Sequence, residues 1–182
     1  MVSTREPAGG VASGRNWRLI AVIAVLGVVV AAADQVTKLW ATSALAGREP
    51  VVVIGDLIQF RVVYNAGAAF SIASGWTWLL TLLVAVVVVA VIRLSARIGS
   101  RTWSVALGLL LGGGVGNLID RLFREPGFPE GHVVDFIDYG GWFVGNVADI
   151  AIVAALVLVG VLTARGIQVD GTRRPVLGER SR

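Results

Sequence analysis

Three short polar sequences hold the residues best able to do chemistry: Gly-Asn-Leu-Ile-Asp-Arg at 116–121, Val-Val-Asp-Phe at 133–136 and Asn-Val-Ala-Asp at 146–149. Each lies at or between the ends of long apolar segments, and an ionisable group at membrane depth marks a functional site by default. Asp135 and Asp149 suit a shared task. Two close carboxylates do not both ionise easily, so such a pair holds one proton between them. The ionised member takes a proton from a water, while the neutral one hydrogen-bonds a scissile carbonyl and later protonates the departing amine. Asn117 and Asn146 are amide donors able to fix that geometry. The chemistry is aspartic hydrolysis, which calls for no metal and no cofactor.

The neighbouring ionisable residues have plainer readings as well. Asp120 and Arg121 are adjacent, which suits a local ion pair with Asp120 in support and Arg121 free to meet substrate carbonyls or a lipid headgroup. Asp138, beside Tyr139, reads as more solvated than Asp135 and ranks below it. Asp149 opens an apolar segment, where an acid also serves as a first-turn residue stabilised by the helix N-terminus. Asp34 and Lys38 are four apart with the acid first, the favourable order for a pair on one helix face. Such a pair either neutralises itself near the membrane interface or belongs to the site.

The elements that must position these residues follow from composition. The 182 residues are 55% hydrophobic and 15% charged, and the mean hydropathy is +0.78. These values exclude a disordered chain and argue against an ordinary soluble domain. With no cysteine and a single histidine, His132, the sequence offers no thiol nucleophile, disulfide or His-rich metal site. Apolar runs at about 17–44, 76–92, 103–119 and 147–164 approach the roughly 20 residues that span a bilayer core. Tryptophans at 17, 40, 76, 78, 103 and 142 fall near their ends, as interfacial belts do.

Basic residues set the orientation. Arg5, Arg15 and Arg18 precede the first run, and Arg93, Arg97 and Arg101 join the second to the third. Five more arginines, at 165, 173, 174, 180 and 182, follow the fourth. That concentration on one side places both termini in the cytoplasm. The net charge of +4 is therefore a topology signal, and nucleic acid is not an expected partner. Arg15, Arg18, the apolar run to Ala33 and Ala31-Ala32-Ala33 mimic a cleavable signal peptide. The residues that follow, Asp34 to Lys38, read better as a continuing helix.

The first outer connection, at about 47–75, contains the strand-like runs 51–54 and 57–64, separated by Gly55-Asp56. Alternation puts Ile58, Phe60, Val62 and Tyr64 on one face and Gln59 and Arg61 on the other. Small residues around Asn65 and Gly67 allow close backbone approach. The second outer connection, at about 121–146, is rich in glycine and reads as a lid. Gly112, Gly113, Gly114 and Gly116 suit close helix packing, and no Gly-Lys-Ser/Thr follows to make a phosphate loop. The expected fold is an all-α membrane protein: four transmembrane helices with a small extracytoplasmic β-sheet and the lid. Its units are a disordered N-terminal tail (1–16), a four-span domain (17–164) and a C-terminal tail (165–182) without regular structure.

The order of the motifs resembles that of the lipoprotein signal peptidase family, the bacterial signal peptidases II. The resemblance rests on Asp34-Gln-x-x-Lys38, Asn65-x-Gly67-x-Ala69-Phe70-Ser71, Gly116-Asn117-x-x-Asp120-Arg121, Val133-Val134-Asp135-Phe136 and Asn146-x-Ala148-Asp149. It implies a metal-free, four-span aspartic endopeptidase in the bacterial cytoplasmic membrane, monomeric among phospholipids, with its site on the extracytoplasmic face. Its partners would be prolipoproteins carrying a diacylglyceryl-modified cysteine, cut on the amino side of that cysteine. Asp135 and Asp149 would form the catalytic pair. Asp34, Lys38, Asn65, Gly67, Asn117, Asp120, Arg121 and Asn146 would support it or contact substrate. One motif departs from the family pattern, which has phenylalanine directly before the asparagine. Here Gly145 precedes Asn146, and Phe143 lies two positions earlier in a short connection. Either Phe143 fills the aromatic place by a changed path, or the pocket wall is more open.

Two rival classes share these residues. A transporter or channel would use the aspartates as a proton or cation relay. A metal-dependent hydrolase would use His132, Asp135, Asp138 and Asp149 as ligands for Mg or Mn.

Overall fold

The computed structural model describes residues 16–67 and 77–173. The N-terminal tail up to residue 15, the motif residues Ala69, Phe70 and Ser71, and positions 174–182 lie outside the described residues.

Four helices are long and apolar enough to cross a membrane: α1 (Trp17–Leu45), α2 (Thr77–Ser95), α3 (Arg101–Phe123) and α4 (Val147–Ala164). On α1 the buried residues are Leu19, Ile23, Gly27, Ala31, Asp34, Lys38, Ala41 and Leu45. They recur every three or four positions and so form one inward stripe. The opposite face is apolar too, with Val25, Val28, Val29, Val36 and Leu39 exposed. A helix that is apolar on its outer face faces lipid rather than water.

Helix α3 is central and packs against the other three. Its glycines make this possible. A Cβ on Gly112 would lie 2.7 Å from the Gly27 carbonyl oxygen of α1, and one on Gly113 2.6 Å from the Ala148 carbonyl oxygen of α4. A Cβ on Gly116 would fall 2.6 Å from Asp34 Oδ2. Consecutive positions on a helix point in different directions, so one glycine run serves two neighbouring helices.

A 29-residue helix is about 44 Å long, well beyond a hydrocarbon core of about 30 Å. The last turns of α1 therefore reach past the core and carry the sheet. Ala41 and Leu45 pack with Phe136, Phe60 and Val62. Trp40, Phe60 and Phe136 meet edge to face, with ring centres 5.7–6.2 Å apart.

The sheet is antiparallel, in the order β1 (Val51–Ile54), β2 (Ile58–Asn65), β3 (Val133–Tyr139) and β4 (Phe143–Gly145). Half of it comes from the second outer connection, which sequence presented only as a lid. Strict alternation along β2 also fails. Phe60 pairs with Ile137 but Val63 pairs with Asp135, so β2 holds one extra residue. A bulge of this kind changes which side chains share a face. Phe60 and Val62 pack inward, whereas Tyr64 is 54% exposed.

At the opposite end, Gly99 and Ser100 donate backbone hydrogen bonds to the Val169 carbonyl, and Trp103 Nε1 donates to that of Ile167. Ile167 and Val169 pack on a core of Leu19, Ile23, Val91, Trp103 and Leu162. Residues 165–173, assigned by sequence to an unstructured tail, therefore close that end of the bundle.

Candidate active site

Asp135 sits in the middle of β3, and Asp149 lies in the first turn of α4. Both line one cavity of about 230 Å³, together with Asn65, Asn117, Arg121 and Phe143. The strand carries Asp135 there because β3 is flanked by β2 and β4 and is drawn against the bundle through Phe136. Asp149 is there because α4 begins with a capping box. The Asn146 side chain accepts from Asp149 N at 3.0 Å, and Asp149 Oδ2 accepts from Asn146 N at 3.1 Å. Asp149 is thus the first-turn acid of α4, and its other oxygen, Oδ1, is turned toward Asn117 at the cavity.

The two carboxylates are held by neutral amides. Asp135 Oδ1 accepts from Asn146 Nδ2 at 2.6 Å, and its Oδ2 accepts from Asn65 Nδ2 at 2.8 Å. Asp149 Oδ1 accepts from Asn117 Nδ2 at 2.9 Å. Asn146 Nδ2 also donates to Asn117 Oδ1 at 3.2 Å, so Asn146 bridges both aspartates and the second asparagine. Gly67 sets the other side. Its N–H donates to Asn65 Oδ1 at 2.7 Å, which turns the Asn65 amide nitrogen toward Asp135. Gly67 has φ +106°, a conformation that favours glycine.

Burial pushes the Asp135 carboxyl up to about 6. The Asn65 hydrogen bond opposes that rise, and the negative charge of Asp149 adds to it.

A second cluster lies beneath. Lys38, fully buried, pairs with Asp34 at 2.7 Å and Asp120 at 2.8 Å, and donates to Asn117 Oδ1 at 2.9 Å. Arg124 Nε contacts Asp120 Oδ1 at 2.6 Å, so two carboxylates meet two cations. Asp34 Oδ1 accepts from Ala148 N and Asp120 Oδ2 from Val134 N, which ties the cluster to α4 and β3. Gln35 donates to Asp34, Asp120 and the Gly116 carbonyl.

All ten sequence candidates fall in these two connected groups, and Asp34 meets Lys38 as the spacing suggests. Asp120 pairs with Lys38 and Arg124 rather than Arg121. Arg121 lines the cavity, and its Nη1 donates to the carbonyls of Asn65 and Gly131, which joins the end of β2 to the loop before β3. Asp138 is buried, not solvated, and its partner is Arg61. That hydrogen bond, with a second from Gly141 N, holds its carboxyl below the usual range. Among the described residues no three His, Asp or Glu side chains converge as metal ligands. Sequence reading passed over Gln35 and Arg124. The place of Gln35 in the Asp34-Gln-x-x-Lys38 motif was the signal for the first, and the i, i+4 spacing from Asp120 was the signal for the second.

The aromatic question has a geometric answer. Phe143 and Gly145 are two apart on β4 and so share a face. The Phe143 ring lies over Gly145, with Cε1 2.6 Å from where a Cβ there would be.

A profile of the Signal peptidase (SPase) II family matches residues 26–165. A lipoprotein signal peptidase of Rhodococcus jostii (strain RHA1) is 49% identical over 152 residues, which is 84% of this chain and 77% of that protein. One of Mycobacterium avium (strain 104) is 43% identical over 178 residues, 97% and 98% of the two. Among solved structures, a bacterial membrane enzyme determined by the in meso method at 1.9 Å resolution superposes with a TM-score of 0.68. It is 26% identical, over 79% of this chain and 93% of that one.

Proposed function

Since the chain belongs to the signal peptidase II family of aspartic-type membrane proteases, we propose that it removes lipoprotein signal peptides by means of a water shared between Asp135 and Asp149. The observation that carries the dyad is the common cavity: two carboxylates face one space, and the side chains that hydrogen-bond them among the described residues are the uncharged amides of Asn65, Asn117 and Asn146.

The steps follow from that arrangement. With one proton on the pair, burial disposes Asp135 to hold it, and Asp149 accepts a proton from the attacking water. The water oxygen bonds the scissile carbonyl carbon while the Asp135 hydroxyl donates to the carbonyl oxygen. The tetrahedral adduct then collapses, the C–N bond breaks, and the amine leaves with a proton from the dyad. One proton has entered from water and one has left with the amine, so the pair returns to its starting charge. Asn65, Asn117 and Asn146 keep both carboxylates oriented throughout, and Gly67 holds Asn65 in place.

The substrate in this reading is a prolipoprotein whose cysteine carries a diacylglyceryl group, cleaved on the amino side of that cysteine. The apolar outer faces of the helices support a place for its acyl chains between helices or in the adjoining bilayer. Arginine distribution puts both termini in the cytoplasm and the dyad at the extracytoplasmic face of the bacterial cytoplasmic membrane. The protein acts as a monomer among phospholipids, with no nucleic-acid partner. The test is cleavage of a diacylglyceryl-modified precursor peptide by purified protein in detergent with EDTA. Cleavage before the modified cysteine by wild type, and none by a folded Asp135→Asn variant, is the expected result. Turnover by that variant would end the dyad assignment, and loss of wild-type turnover in EDTA would restore the metal reading.

A further inference from the structure

Phe143 occupies a place that the catalytic scheme above does not use. Its ring stacks on Tyr139, the residue opposite it in the β3–β4 register, with centres 6.0 Å apart and planes at 23°. The space that a side chain at 145 would fill holds two things: the ring, 2.6 Å from the ideal Cβ position, and Asp149 Oδ2, 3.0 Å from it. Ring and carboxylate are thus near neighbours across a glycine. The same two residues line both the polar dyad cavity and a second, apolar one of about 450 Å³. That second cavity runs beside Ile150 and Val153, which are 50% and 60% exposed on the outer face of α4. Phe143 therefore stands where the dyad space and the lipid-facing groove adjoin.

We propose that Phe143 is a positioning residue for Asp149: its ring, seated over Gly145, partitions the dyad cavity from the lipid-facing groove and keeps the Asp149 carboxylate turned to the dyad. The glycine at 145 is part of the device, because any side chain there would displace the ring or the carboxylate. Tyr139 backs the ring from the neighbouring strand. A carboxylate oxygen bounded by an aromatic ring on one side and by the Asn146 N–H on another has few other places to go. The role in turnover rests on the dyad reading above, while the shielding of Asp149 is measurable without any substrate.

The test uses the full-length protein in detergent and three variants: Phe143→Ala, Phe143→Leu and Gly145→Ala. Trp142→Ala, at a neighbouring residue that is 95% exposed, controls for disturbance of β4. Two quantities are read: kcat and KM on the diacylglyceryl-modified peptide, and the labelling rate of Asp149 by a water-soluble carbodiimide with glycine ethyl ester.

Phe143→Ala is expected to lower kcat by at least about tenfold with KM little changed, as misplacement of a reacting group does. It also speeds labelling of Asp149 severalfold. Phe143→Leu falls between it and wild type, and Gly145→Ala resembles Phe143→Ala. Wild-type kcat and labelling in Phe143→Ala would overturn the proposal. So would equal changes in both readouts in Trp142→Ala. If wild type cleaves but labelling ignores the ring, the partition falls and the peptidase reading stands. If labelling follows the ring but wild type cleaves nothing, the peptidase reading falls and the partition stands.

Discussion

Two pairs of aspartates lie within one hydrogen-bonded network, and their partners differ in kind. Asp34 and Asp120 are met by Lys38 and Arg124, so that cluster is internally neutral. Asp135 and Asp149 are met by Asn65, Asn117, Asn146 and backbone N–H groups, none of which carries charge. An opposite charge favours the ionised form of a carboxylate more than neutral amides do. The first pair is suited to holding a structure together, and the second, on the proposed reading, to trading protons on that base. Asn117 joins the two: its oxygen takes Lys38, and its nitrogen gives to Asp149.

Isosteric Asp→Asn exchange at all four positions puts this contrast to its hardest test. At 135 and 149 the expected loss of turnover is at least about a hundredfold, the scale of a missing general acid or base, with the melting temperature retained. At 34 and 120 the expected loss is of the fold itself. Each exchange strips a fully buried Lys38 of one counter-charge, which typically costs about 3–5 kcal/mol. Activity assays beside thermal melts separate the two outcomes. Four variants that all lose activity and stability together would dissolve the distinction.

The next effect is smaller and falls on the joint. Asn117→Asp keeps the oxygen that accepts from Lys38 but replaces the amide that donates to Asp149 with a third carboxyl group at the dyad. Turnover is expected to fall while stability changes by about 1 kcal/mol, the scale of one hydrogen bond. Asn117→Ala removes both contacts and should lower stability further. Melting curves and single-turnover rates on the two variants distinguish the arms of this one side chain.

How far sequence reading reached follows from the same contrast. The four spans were legible because long apolar runs have few alternatives, and Asp135 and Asp149 stood out because charge is rare beside such runs. The partners were harder. Lys38 and Asp34 share a helix face and could be paired from spacing, but Asp120 joins them from α3, a contact no local pattern carries. Arg121 was assigned to Asp120 because they adjoin, although consecutive helix positions point apart. The β2 bulge hid in a clean alternation, since one inserted residue leaves no mark on composition. Strands β3 and β4 read as a lid because their glycine-flanked turn resembled loop, and only pairing with β2 makes them sheet.

A finer division of the comparison lies in pH. Ionised Asp135 is the form that burial penalises, so its contribution to stability is full below the ordinary 3.8 and is lost as pH rises through about 6. In the dyad scheme the same deprotonation removes the shared proton, and kcat/KM falls along an alkaline limb near that value. Asn65 donates to the ionised carboxylate and pulls the limb down. Asn65→Ala should therefore move the limb to higher pH, by about one unit if the bond is of ordinary charge-assisted strength. A pH–rate profile of Asn65→Ala that coincides with wild type, or shifts downward, would mean that the asparagine does not govern the proton on Asp135.

The smallest effect belongs to the one outer-sheet aspartate that is charge-paired. Asp138 is held by Arg61, yet the Arg61 side chain is 40% exposed, so solvent screens the pair. Arg61→Gln is expected to lower stability by no more than about 1 kcal/mol and to leave kcat at its wild-type value. Raised salt should shrink even that difference, because an exposed ion pair is screened where the buried Lys38 cluster is not. A larger loss that salt does not touch would move Asp138 into the same class as Asp34 and Asp120. It would then make the sheet, and not the helices alone, part of the rigid base on which the dyad stands.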